Sequence, residues 1–229
     1  MFDTELRRIK DILLEPVVSV AAALHLSPGK ITAAGLAFGL IAAGAAAVGQ
    51  WTPALILWLL NRIADGLDGL VARRSNAVSD SGGYLDIMAD FVVYATLPLG
   101  AAAGVSAEAA ATGAATVTAG SMAPHPWLWP STAVLLAVFY VNTASWMYAA
   151  ALIEKRQTVA SAQAADKAQT TIAMPRGIIE GAETILFITV LLLFPGYIVP
   201  IYITFALLTA ATALLRVVQW VQLTGRNQS

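Results

Sequence analysis

A chain of 229 residues that is 58% hydrophobic and only 12% charged, with a mean hydropathy of +0.72, carries about half the charge usual in a soluble domain. A net charge of -1, with no basic stripe interleaved with aromatics, excludes a general field for nucleic acid. The lack of cysteine excludes disulfides, thiolate ligands and thiol nucleophiles, so any metal must be held by oxygen or imidazole.

The chain opens Met1-Phe2-Asp3-Thr4-Glu5-Leu6-Arg7-Arg8, which does not read as a signal peptide. From Phe2 to Ala23, the charged residues Arg7, Arg8, Lys10, Asp11 and Glu15 alternate with Ile9, Leu13, Leu14 and Val17. That mixture predicts an amphipathic helix lying in the membrane interface, bent or restarted at Pro16. Residues 1–26 are therefore set apart from a single six-helix transmembrane domain over 27–229. The expected fold class is all-α and polytopic, with spans at about Ile31 to Gly49, Pro53 to Val71, Tyr84 to Val105, Pro130 to Ile153, Ile178 to Phe194 and Tyr197 to Val221.

Twelve of the thirteen basic residues fall in or beside alternate connections: Arg7, Arg8, Lys10, Lys30, Arg73, Arg74, Lys155, Arg156, Lys167, Arg176, Arg216 and Arg226. The intervening connections, around Gln50 to Thr52, Ser106 to Trp129 and Pro195 to Gly196, hold no lysine or arginine. By the positive-inside rule both termini are expected in the cytoplasm of a cell with this protein in its inner membrane. The Ala/Gly/Thr stretch from Ala101 to Gly120 reads as a loose extension of the third helix or an outer loop. The polar segment from Lys155 to Gln169 reads as a solvated loop. Trp51, Trp127, Trp129 and Trp220 read as interfacial anchors, and His25 and His125 as incidental.

Only Arg62 among the basic residues lies well inside a span, and it shares its hairpin with four carboxylates. The second span ends Asn61-Arg62-Ile63-Ala64-Asp65-Gly66-Leu67-Asp68-Gly69-Leu70-Val71-Ala72-Arg73, and the third begins Gly82-Gly83-Tyr84-Leu85-Asp86-Ile87-Met88-Ala89-Asp90. An ionised side chain costs about 2.5 to 3.5 kcal/mol at the bilayer centre and less near the interface, so this grouping calls for a cation. Asp65 and Asp68 are three residues apart and Asp86 and Asp90 four, which puts each pair on one helix face. Counting about 1.5 Å per residue from a turn around Arg74 to Ser81 brings the two pairs to matching depths. Carboxylate oxygens without sulfur or imidazole suit a hard ion, Mg²⁺ or Mn²⁺, with two ions able to clamp a diphosphate for in-line displacement. A divalent-cation or proton-coupled transporter is the alternative for intramembrane carboxylates, but all four acids sit toward one face. A catalytically idle scaffold is a second alternative.

Read together, Asp65-x2-Asp68-Gly69-x2-Ala72-Arg73-x8-Gly82-x3-Asp86-x3-Asp90 resembles the signature of the CDP-alcohol phosphotransferases at every fixed position. The resemblance extends to the six-span layout and to Ser27-Pro28-Gly29-Lys30-Ile31-Thr32, where Gly29 stands at a position that is more often asparagine. It implies transfer of a phosphatidyl group from a CDP-linked donor, usually CDP-diacylglycerol, to a small alcohol acceptor, with CMP released. It also implies that Asp65, Asp68, Asp86 and Asp90 hold the metal and that Asp90 takes the acceptor's proton. Asp86 and Asp90 are thus the expected catalytic residues; Asp68, Gly69, Ala72, Arg73, Gly82 and Thr32 are the expected CDP contacts. A homodimer is expected at the level of the family. For acceptor recognition the candidates are Arg62, Arg176, Glu180 and Glu183, with Arg62 equally readable as a counter-ion to the acids. Tyr140, Asn142, Ser145 and Tyr148 read as hydrogen-bonding between helices in preference to lining a cavity.

Overall fold

In a computed structural model of the chain, residues 27–112, 126–163 and 177–225 are described. The interfacial helix expected over 1–26, Arg176, His25 and His125 lie outside them. The described residues form six α-helices and no strand: α1 Pro28–Ala47, α2 Trp51–Arg74, α3 Asp80–Thr112, α4 Leu128–Gln163, α5 Gly181–Leu193 and α6 Ile198–Gly225, with a single 3₁₀ turn at Pro195–Tyr197 before α6. The protein is therefore an all-α, polytopic membrane protein. Helices α1, α3, α4 and α6 are long and apolar enough to cross a bilayer by themselves. Helix α2, with 24 residues, is long enough at about 36 Å, but it carries Arg62, Asp65, Asp68, Arg73 and Arg74.

Two of the expected boundaries are overrun. Helix α3 has 33 residues and α4 has 36, each longer than the roughly 20 that span the hydrocarbon. The Ala/Gly/Thr stretch after Ala101 thus continues α3 as far as Thr112. The segment expected as a loop from Lys155 is instead helical to Gln163, because Glu154-Lys155-Arg156-Gln157 extends α4 with good helix formers. The fifth span errs the other way, with only 13 residues of α-helix. Its start is fixed by Glu183, whose Oε2 accepts the Glu180 backbone N–H at 3.0 Å, one half of a capping box.

The chain divides into two compact units. The first comprises Met1–Trp129 and Ile185–Ile198; the second comprises Pro130–Thr184 and Val199–Ser229. In the first, α1 packs on both α2 and α3. Both turns that join these helices end the preceding helix with the same backbone pattern. After α1, Gly49 has φ 74°, its N–H reaches the Ala46 carbonyl, and the Gln50 N–H reaches that of Ala45. After α2, Asn76 takes the left-handed position at φ 51°, with Asn76 and Ala77 N–H groups on the carbonyls of Arg73 and Ala72. These are Schellman closures with the two residues that tolerate positive φ best. They hold the α2–α3 connection to the five residues between Arg74 and Asp80.

Close approach of α1 and α3 rests on glycine. A Cβ at Gly100 would strike the Ala43 carbonyl oxygen and one at Gly104 the Ala46 carbonyl oxygen, backbone atoms that cannot swing aside. Gly104→Ala is expected to cost about 1–3 kcal/mol by forcing the helices apart, read as a lower melting temperature in detergent. An unchanged melting temperature would show that α1 and α3 part without cost. Deeper in this unit, fully buried Trp58 donates its indole N–H to Thr189 Oγ1 at 3.1 Å.

In the second unit, Phe139 and Phe205 meet edge to face at 5.6 Å. Arg216, 5% exposed, donates from Nη1 to Asn142 Oδ1 at 2.9 Å. Asn142 thus bonds across to α6, as expected for a polar residue of the fourth span. Leucine, isoleucine and valine side chains such as Ile56, Leu59, Leu60 and Ile63 of α2 and Leu207, Leu214 and Val218 of α6 point outward. Apolar exteriors such as these are a liability in water and the natural state against lipid tails.

Candidate functional site

The four aspartates come together. Asp65 and Asp68 of α2 and Asp86 and Asp90 of α3 line one small cleft, with Thr32, Gly35 and Leu36 of α1, Asn61 and Arg62 of α2 and Ala89 of α3. The matching depths expected from residue counts are those observed. The tight α2–α3 turn sets this register: Asp65 and Asp68 stand nine and six residues before the end of α2, and Asp86 and Asp90 six and ten residues after the start of α3.

Three of the four acids have a neighbour that limits their freedom. Asp68 is 5% exposed and its Oδ2 accepts the Thr32 hydroxyl at 2.6 Å. That hydroxyl also lies 3.1 Å from the Pro28 carbonyl. It has one proton to give, and the shorter, charge-assisted bond to the carboxylate takes it. Asp90 Oδ1 receives Arg62 Nη2 at 2.7 Å, and Asp65 lies 3.9 Å from Arg62 Nη1. Arg62 in turn gives Nε–H to Asn61 Oδ1 at 2.8 Å and Nη1–H to the Tyr94 hydroxyl at 2.9 Å. Asn61 completes the chain by donating Nδ2–H to the Gly35 carbonyl at 2.8 Å, which ties α1 to α2 behind the acids.

The remaining expected CDP contacts lie outside the lining of the cleft. Gly69, Ala72 and Arg73 follow Asp68 toward the end of α2, where Arg73 is exposed and runs alongside Gly69, its Nη1 3.4 Å from where a Cβ would stand. Gly82 is exposed in the first turn of α3, with its N–H 3.2 Å from Ser79 Oγ. Together these residues continue the hairpin from the acid cleft to the α2–α3 turn. Glu180 and Glu183 belong to the second unit. Neither is buried: both are exposed, and Glu180 Oε1 accepts the Gly177 N–H at 3.2 Å. Glu183 is engaged as the cap of α5.

Sequence reasoning did not single out Asn61, Trp58 and Tyr94. Trp58 and Tyr94 flank the guanidinium of Arg62, whose central carbon is 4.7 Å from one ring centroid and 5.2 Å from the other. The signal was present, since Trp58 precedes Arg62 by four residues and Tyr94 follows Asp90 by four.

Whether a divalent cation fits can be tested on the donor set itself. The cleft offers four carboxylates and no nitrogen or sulfur ligand, the chemistry of a hard-ion site. Among the described residues no three acidic or histidine side chains converge tightly on one point. The reason is visible in the bonds above: Asp90 and Asp65 lean on Arg62, while Asp68 turns to Thr32.

A polytopic helical membrane protein with two aspartate pairs facing each other across one hairpin defines a class, and comparison with known families assigns it. The chain belongs to the CDP-alcohol phosphatidyltransferase family, whose family model matches residues 25–222. It is a membrane-embedded transferase of that family. Over 218 residues it is 34% identical to the inner membrane protein YnjF of Escherichia coli (strain K12), a match that covers 95% of this chain and 94% of that one.

Proposed function

We propose that the protein transfers a phosphatidyl group from CDP-diacylglycerol to a small alcohol, releasing CMP, at the cleft between α2 and α3. The observation that carries this reading is the gathering of Asp65, Asp68, Asp86 and Asp90 in a single cleft in a chain of this family. Four carboxylates against one guanidinium leave a negative excess, which a bound cation would offset. We assign Asp65, Asp68, Asp86 and Asp90 to hold Mg²⁺ or Mn²⁺, as two ions. When bound, such ions supply charge stabilisation to a diphosphate undergoing in-line displacement.

The acceptor oxygen forms a bond to the β-phosphorus of the donor, the phosphoanhydride bond breaks, and CMP leaves with its electron pair. Asp90 receives the acceptor's proton. Its Oδ1 is engaged by Arg62, so Oδ2 is the atom that takes it. Asp68, Gly69, Ala72, Arg73, Gly82 and Thr32 bind the CDP portion, with Thr32 orienting Asp68 through the 2.6 Å bond. Gly69 and Gly82 leave room for the nucleotide against backbone. Acceptor recognition falls to Arg176, Glu180 and Glu183. We assign Arg62 to the acid cluster, because its donors are spent on protein acceptors. Both termini and the opening for alcohol and CMP face the cytoplasm, which the distribution of lysine and arginine supports. The protein acts as a homodimer.

The test is release of CMP from CDP-diacylglycerol by purified protein in nanodiscs with Mg²⁺ or Mn²⁺, over glycerol 3-phosphate, inositol phosphate, serine and choline. Release that needs the metal and one acceptor is expected. Folded protein that releases no CMP with any of them would move the reading to another CDP-linked donor or to ion binding alone.

A further inference from the structure

Arg62 is the most heavily engaged side chain of the site. Its side chain is 8% exposed. All three of its nitrogens donate to protein: Nε to Asn61, Nη1 to Tyr94 and Nη2 to Asp90. Trp58 and Tyr94, which touch each other edge to face at 6.2 Å, lie against it and add cation–π attraction. Nη1 also lies 3.9 Å from Asp65 Oδ2. An arginine that captures an incoming phosphate keeps its fork free, and this one does not. It also cannot withdraw without stripping three acceptors at once, so its positive charge stays beside Asp65 and Asp90 whether or not an ion is bound.

We propose that Arg62 is a built-in cation of the acid cluster, which holds the four carboxylates together before metal binds and keeps the second metal ion loosely held. The proposal rests on the reading of the aspartates as metal ligands. Without metal, four carboxylates repel one another across the α2–α3 hairpin, and the fixed guanidinium offsets part of that repulsion. With metal, the same charge opposes any ion drawn to Asp65 and Asp90 and occupies one oxygen of Asp90. Arg62 is thus a positioning residue, acting through Asp90 and through the ions.

The experiment measures Mn²⁺ binding by titration calorimetry and electron paramagnetic resonance on purified protein in detergent, for the wild type, Arg62→Lys and Arg62→Gln. Melting temperatures are taken with EDTA and with saturating Mn²⁺. Arg62→Gln, which removes the charge, is expected to bind the weaker ion on the order of tenfold tighter, to melt lower than wild type in EDTA, and to regain stability with Mn²⁺. Arg62→Lys, which keeps the charge, is expected to bind Mn²⁺ as the wild type does. If Arg62→Gln folds only when purified with Mn²⁺, that too supports the proposal. Mn²⁺ binding that is unchanged or weaker in Arg62→Gln overturns it, and so does a lysine variant that behaves like the glutamine one. Wild type and Arg62→Gln that are both folded and both fail to bind Mn²⁺ would overturn the metal reading, and this inference with it.

Discussion

Asp86→Asn lowers metal-dependent CMP release by on the order of 10³-fold, the loss seen when one charge-stabilising group is removed from a reaction centre. The substitution keeps shape and removes one charge from a cleft lined by four carboxylates. Its effect on the fold has the opposite sign. Asp86 is half-buried and no described arginine bonds to it directly, so losing its charge relieves repulsion from Asp65, Asp68 and Asp90. The metal-free variant is therefore expected to melt at or above the wild-type temperature while its activity vanishes. A fall in both together, in EDTA, would mean that Asp86 is structural. Activity retained at the wild-type level would place the chemistry elsewhere.

Asn61→Leu is expected to destabilise the protein by about 2–4 kcal/mol, the largest stability effect among single changes in the site. Asn61 is 3% exposed and bridges two helices, with Nδ2 on the Gly35 carbonyl and Oδ1 on Arg62 Nε. Leucine supplies comparable bulk, but it takes away both bonds and leaves a buried donor of a charged group without its acceptor, a loss of about 1–3 kcal/mol in itself. The cost appears as a lower melting temperature in detergent, accompanied by weaker CMP release because Arg62 no longer fixes Asp90. Wild-type stability would mean that water or another side chain replaces Asn61 at Arg62.

The carboxylates and the family were legible in the sequence because they depend on spacing along single helices. Asp65 and Asp68 share a face by virtue of three residues, Asp86 and Asp90 by virtue of four, and a short polar turn sets their depth. The Trp58–Arg62–Tyr94 stack was not legible in the same way. It joins two helices, and only the rotation of α2 against α3 decides that Tyr94, rather than an adjacent residue, meets the guanidinium.

Helix ends divided along similar lines. The turns at Gly49 and Asn76 carry local signals, residues suited to positive φ. The overrun of α3 past Val105 to Thr112 does not, because alanine-rich sequence is equally suited to a loose connection outside the membrane and to a helix. Glu183 illustrates a third case. In the sequence it stands as an acid inside an apolar run, Ala182-Glu183-Thr184-Ile185-Leu186, and invites a functional reading. The fold starts α5 two residues before it and uses it to cap the Glu180 N–H.

In the proposed reading, metal and CDP-linked donor meet in the cleft between α2 and α3. Anomalous diffraction from crystals grown with Mn²⁺ and CDP-diacylglycerol tests it most directly. Peaks among the carboxylates of Asp65, Asp68, Asp86 and Asp90, with the donor's diphosphate against them, are the result predicted. Donor density with its diphosphate elsewhere, or Mn²⁺ peaks away from these four residues, would contradict it.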